Sequence, residues 1–181
     1  FVKAAKTLQF WDGLKDSLLM TLIPAALQTF TLALAGYGLA LYRVPGKRFW
    51  LVLAVFIFLI PTQVTMIPRF LLFNSYHTIG TIWPVYLISL FGQGVKSSVF
   101  LLIYYNFFKS YPKSMDEAAK IDGAGAATVF FRIALPMAKP ALVLTYLFSF
   151  IWIWNDTTQL PQYSTGAVTT LPMHLQQFVE R

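Results

Sequence analysis

The chain has 181 residues, 57% of them hydrophobic and 12% charged, with a formal net charge of +7 and no cysteine. That excludes disulfide frameworks and thiol-ligated metals, and its mean hydropathy of +0.61 leaves too little polar surface for a soluble domain. A bilayer is the expected solvent, and the positive charge then reads as loop charge beside anionic lipid rather than a nucleic-acid footprint.

A first apolar run, about 17–42, carries no charged residue and is long enough to cross roughly 30 Å of hydrocarbon. Further runs cover about 49–68, 82–108 and 140–156. The last is short, so it is expected either to be buried in a bundle or to continue past Asp156. No run alternates with period two over the length a membrane strand needs, which makes the class all-α. Arg43, Lys47 and Arg48 crowd one connection, and Lys109, Lys113, Lys120, Arg132 and Lys139 lie in the segment 109–139. Positive charge marks cytoplasmic loops, so both connections are assigned to the cytoplasm.

Between the third and fourth runs stands a short charged segment, Asp116-Glu117-Ala118-Ala119-Lys120-Ile121-Asp122-Gly123-Ala124, closed by Ile133-Ala134-Leu135-Pro136. Ser114 and Glu117 have capping-box spacing, Pro112 precedes them, and Gly123 can end a helix in the left-handed region. The residues alone predict an exposed, capped helix. The pattern resembles the EAA motif of permease subunits in ATP-binding-cassette importers. All seven specified positions match: Glu117, Ala118, Ala119, Gly123, Ile133, Leu135 and Pro136. Looser stretches are similar to the carbohydrate-uptake, maltose-type branch. They are Gly36-Tyr37-Gly38 through Arg43-Val44-Pro45-Gly46-Lys47, the paired prolines of Ile60-Pro61 to Ile67-Pro68, and Trp154-Asn155-Asp156. The resemblance spans roughly residues 15–175 and departs at Lys96 and Arg69, where uncharged residues are usual.

The resemblance implies an integral membrane, type I importer helical bundle whose coupling helix docks on a cytoplasmic ATPase. Its docking residues would be Asp116, Glu117, Ala118, Ala119, Asp122, Gly123 and Ala124. It implies a second permease, identical or homologous, two ATPase subunits and an extracytoplasmic solute-binding protein, in a bacterial or archaeal plasma membrane. No cofactor is expected on this chain; ATP and magnesium would sit on the ATPases. Phe1 is not an initiator, and residues 157–181 end without a further span, so the chain is expected to be one domain lacking the family's first and last spans.

Several residues carry two readings. Glu117 either caps its helix or meets the ATPase, and one carboxylate can do both. Lys96 either snorkels to an interface from a helix broken at Gly92-Gln93-Gly94, or lines the solute path. Gln63 and Asn155 are the other candidates for that path, with interhelical hydrogen bonding as the alternative for polar residues near Pro61. Trp152 and Trp154 form either an interfacial belt or a surface for stacking sugars. An enzyme is not expected: no phosphate loop, nucleophile elbow or metal-spaced histidine pair occurs. Permeases for peptides, phosphonates or amino acids, and a channel or ion-coupled carrier, stay open as alternatives.

Overall fold

The computed structural model describes residues 10–94, 96–164, 166 and 168–179. Helix α1 is Phe10–Leu41, α2 Lys47–Leu59, α3 Thr62–Ser75, α4 Trp83–Leu90, α5 Ser97–Lys109 and α6 Lys113–Ile121. A compound helix follows, α7 Ala126–Val129, a widened π turn Phe130–Ala134 and α8 Leu135–Met137; then come α9 Lys139–Trp154, α10 Gln159–Ser164 and α11 Leu171–Val179. No strand occurs among the described residues. Among the described residues only α1 is long and apolar enough by itself to cross a membrane, at 32 residues; two further interrupted helix pairs qualify when each is taken as one span.

The apolar runs are more broken than their composition indicates. The second run is two helices, because Pro61 lacks the N–H that would continue α2 into α3. The third is also two. Gly92, at φ 64, ends α4, with the Gln93 N–H donating to the Ile88 carbonyl at 2.8 Å and the Gly92 N–H to Ser89 at 3.0 Å. That pair of bonds is a Schellman termination. His77, at φ 54, ends α3 in the same way, through Thr78 N–H to Phe73 and His77 N–H to Asn74, each 3.0 Å. The helix pair Ala126–Met137 and Lys139–Trp154 is bent by 76° at Ala138. Pro140 explains that bend, since its ring opposes the carbonyl four residues back, at Pro136. The fourth run stops at Trp154 rather than continuing: the Asp156 carboxylate accepts from the Thr158 and Gln159 N–H groups at 3.0 and 2.9 Å, starting a separate helix.

The described residues divide into two compact units. One gathers residues up to Gln28, 60–94 and those from Phe148 onward; the other holds Thr29–Leu59 and Lys96–Leu147. In the first, Met20, Leu160, Val168 and Met173 form a buried cluster with Val85 and Tyr86 against it. The Ser17 hydroxyl donates to the Gly13 carbonyl and accepts the Leu171 N–H, tying the α1 start to α11. Ser149 donates to Gln28 Oε1 at 3.1 Å, joining two apolar helices by a buried polar pair.

In the second unit Phe100, Tyr104 and Phe108 recur every fourth residue on α5 and are fully buried. The Thr145 hydroxyl donates to Ala141, so Tyr104 is the donor in its own contact with Thr145. Gly36 lets α1 approach this stripe: a Cβ there would collide with Tyr104 Cβ and lie 3.0 Å from the Tyr105 nitrogen. Gly36→Val therefore costs about 1–3 kcal/mol through overpacking. Thermal unfolding of the detergent-solubilised protein should show the loss, while Gly38→Ala, with nothing within 4 Å, stays near wild type.

Candidate functional site

Helix α6 begins at Lys113, with Pro112 in the cap position at φ −65 and ψ 105 and no side-chain cap bond. The expected capping box between Ser114 and Glu117 does not form. Ser114 already lies inside the first turn, and proline has no side-chain acceptor for an N-terminal N–H, although its carbonyl accepts the Met115 N–H at 3.2 Å. The other end forms as its sequence predicts. Gly123 adopts φ 83, the Ala124 N–H reaches the Ala119 carbonyl at 2.9 Å, and the Gly123 N–H reaches Lys120 at 3.0 Å. This is a second glycine-terminated Schellman end, after Gly92.

What holds the helix is a buried carboxylate. Asp116 is 6% exposed; the Tyr37 hydroxyl donates to its Oδ2 at 3.0 Å and the Tyr111 hydroxyl to its Oδ1 at 2.9 Å. Each oxygen receives one donor, as a desolvated carboxylate requires. Tyr37 packs edge-on against Phe108, 5.2 Å between centroids, and close to Phe130 at 5.0 Å. Burial, and then Asp116 itself, push the Tyr111 hydroxyl well above the ordinary tyrosine range. Asp116 thus differs from its companions in the motif: it faces inward, and its oxygens are occupied by the protein's own tyrosines.

With Asp116 inward, α6 turns a stripe outward. Ser114, Glu117, Ala118 and Ile121 are all exposed, at the i, i+3, i+4, i+7 spacing of a single face, roughly 150° from Asp116 at about 100° per residue. Ile121 is 86% exposed, an unusual position for an isoleucine at the end of a charged helix. Asp122 and Gly123 are exposed at the helix end, whereas Ala119 and Ala124 are half-buried. The motif reading missed Ile121 and Ser114; their signal was the helical spacing from Glu117 and Ala118.

The solute-path candidates are dispersed. Gln63 is exposed on the first turn of α3. Asn155 is exposed and its amide donates to the Ile151 carbonyl of its own helix at 2.7 Å; no hydrogen bond joins it to Gln63. Lys96 stands just before α5 in the left-handed region, φ 57, with its ammonium 5.0 Å over the Phe58 ring. Lys96 follows the break at Gly92-Gln93-Gly94, and a cation–π contact accompanies the charge. Trp152 and Trp154 lie against phenylalanines one turn back, Phe148 and Phe150, each at 5.5 Å. Among the described residues no group of three or more metal-ligating side chains occurs.

Asp116→Ala leaves two buried hydroxyls without their acceptor, at about 1–3 kcal/mol each. Amide exchange across 113–123 should accelerate, with the membrane helices unaffected; unchanged exchange would show that the tyrosines do not hold α6. The raised Tyr111 value sets the sign with pH. Its contribution is complete below the unfolded value of about 10 and is lost only as pH climbs through the higher folded value. Excess protection of α6 over the Asp116→Ala variant should therefore be flat from neutrality to about pH 10 and fall beyond it.

Residues 32–177 match the family described as binding-protein-dependent transport system inner membrane component. Protein LplC of Bacillus subtilis is 36% identical over 147 residues, 81% of this chain and 48% of its own length. A probable starch-degradation-products transport system permease from Thermoanaerobacterium thermosulfurigenes is 30% identical over 179 residues, 97% of this chain and 63% of that protein. An osmoprotective-compounds uptake permease from Synechocystis is 30% identical over 167 residues, 92% of this chain and 54% of that one. The chain spans about half the length of the first of these relatives and somewhat more of the others. Among solved structures, a bacterial ABC transporter involved in import of the acidic polysaccharide alginate aligns with TM-score 0.77 at 22% identity. It covers 94% of this chain and 57% of that one, a likeness of fold. The all-α fold is that of a type I ABC importer permease, and the chain belongs to the binding-protein-dependent transport system inner membrane components.

Proposed function

We propose that this chain belongs to a permease subunit in an ATP-driven importer, translocating a sugar or oligosaccharide across a bacterial or archaeal plasma membrane. The observation that carries the reading is the outward stripe of α6. A helix anchored from behind by Asp116 and showing Glu117, Ala118 and a bare Ile121 to the outside has the form of a plug for another protein's cleft. Small side chains at Ala118 and Ala119 permit close approach to the backbone, and Glu117 supplies a charge at the rim. Family membership supports the transport role, and a relative named for starch-degradation products supports the sugar.

In this reading the chain performs no bond chemistry and binds no cofactor. ATP and magnesium belong to two cytoplasmic ATPase subunits, while a second permease and an extracytoplasmic solute-binding protein complete the assembly. Closure of the ATPases on ATP would move α6 as a lever. The permease pair would then alternate between inward- and outward-open states, a two-state equilibrium biased by nucleotide and loaded receptor.

Full burial of an isoleucine is worth about 1.5–3 kcal/mol, so Ile121→Asp should weaken ATPase association about tenfold or more. The test is co-purification of the ATPase with the full-length permease from membranes, followed by ATP hydrolysis with a panel of sugar-loaded binding proteins. Stimulation by one sugar-loaded receptor, lost in Ile121→Asp while the permease remains inserted, is the expected result. Failure of any ATPase to associate with the wild type, under mild extraction, would sink the importer reading in favour of a carrier or channel.

A further inference from the structure

Arg69 is the charge that its surroundings leave least explained. It lies half-buried on α3, with Nη2 donating to the Gln93 carbonyl at 3.3 Å and to Gln93 Oε1 at 3.5 Å. Both acceptors are neutral, and among the described residues no carboxylate forms an ion pair with it. A guanidinium carries five N–H donors and keeps its charge at any attainable pH. Held on an apolar membrane helix, such a charge costs several kcal/mol unless water or an anion meets it.

Beside this charge is a groove. Arg69, Leu72 and Phe73 on α3 and Tyr76 at its C-cap follow one another at i, i+3, i+4 and i+7, and Leu87 with Phe91 forms the opposite wall; the cavity is about 650 Å³. Leu72, Tyr76 and Phe91 are widely exposed, so the groove opens outward along its apolar length. Gln93, whose Oε1 accepts from Arg69, brings an amide NH₂ to the same end. One end is therefore cationic and rich in donors, and the rest is hydrocarbon.

We propose that this groove binds an anionic phospholipid, its phosphate on Arg69 and the Gln93 amide, its acyl chain along Leu72, Tyr76, Leu87 and Phe91. Charge complementarity selects the headgroup, because guanidinium and phosphate pair through two parallel hydrogen bonds. The apolar walls select the tail. A free phosphate or a sugar carboxylate would satisfy Arg69 and leave Leu72, Leu87 and Phe91 uncovered, whereas a lipid matches both ends. Basic pockets between membrane helices are the expected places for such headgroups. The site is independent of which solute the transporter carries.

The experiment uses the full-length transporter complex in nanodiscs of equal parts phosphatidylglycerol and phosphatidylcholine, with retained lipid counted by mass spectrometry after delipidation. Wild type should retain phosphatidylglycerol over phosphatidylcholine. Arg69→Gln should lower that preference about tenfold, the worth of a charge-assisted hydrogen bond, while Arg69→Lys keeps part of it. Leu72→Trp, which fills the groove and leaves the charge alone, should lower retention of both lipids and guards against a misfolded Arg69 variant. Equal phosphatidylglycerol retention in Arg69→Gln and wild type overturns the proposal. So does displacement of the lipid by an acidic oligosaccharide that the complex transports, which would place Arg69 on the solute path instead.

Discussion

The second unit is organised around one carboxylate taken out of water. Asp116 sits among aromatic side chains, and the two tyrosine hydroxyls that satisfy its oxygens come from different places in the chain. Tyr37 belongs to the end of α1 and Tyr111 to the turn before α6. A carboxylate buried without those donors would cost several kcal/mol, so the three residues are obliged to meet. Their meeting fixes where α6 lies and, because a helix is rigid over nine residues, which of its faces is turned out. Gly36 is the precondition. Only a residue without a Cβ lets α1 lie close enough to the Tyr104 backbone for its neighbour Tyr37 to reach Asp116.

This division of labour within the motif follows from helical geometry. Asp116 and Glu117 are adjacent, so their side chains leave the axis about 100° apart and cannot serve the same surface. One carboxylate anchors and the other presents. Three positions past Asp116, Ala119 is half-buried, while Ala118 and Ile121 share the outward face of Glu117. The docking role proposed for α6 needs both functions: an exposed apolar surface for affinity, and a stiff attachment so that force on that surface moves the chain behind it. The short helix, ended sharply at Gly123 by two backbone bonds, supplies both in nine residues.

Much of this was legible from the residues. The all-helical class, the position of α6 and its glycine terminator follow from apolar runs without alternation and from Gly123 after a helix-forming stretch. The inward turn of Asp116 was not, because its partner Tyr37 is 79 positions away, and no local pattern reports a contact at that separation. The capping box failed because Pro112 claimed the cap position, a competition between two local signals that spacing alone cannot decide. The interrupted runs were half visible. Pro61 and Gly92 announce breaks to anyone weighing backbone chemistry, but hydropathy averages over them. His77 gives a weaker warning, being one of the few non-glycine types that tolerate the left-handed region.

Two cations, Lys96 and Arg69, set this chain apart from the pattern it otherwise resembles, and the structure treats them differently. Lys96 stands at a helix break, exposed, on a flexible stem, with an aromatic face beneath its ammonium. Its exposure and the Phe58 ring both offset the cost of that charge. Arg69 stands within a helix turn, half-buried, its planar fork committed to neutral oxygens on one side and bordering hydrocarbon on the other. Neutral acceptors orient a guanidinium without cancelling its charge. The orientation they impose keeps the cation at the mouth of an apolar groove, so the same contacts that hold Arg69 in place also preserve its demand for an anion. Lysine there, a compact point charge on a flexible four-carbon stem, could swing to water; arginine held by Gln93 cannot do so without breaking those bonds. The choice of cation, as much as its position, is therefore what distinguishes a tolerated charge from one with a ligand to meet.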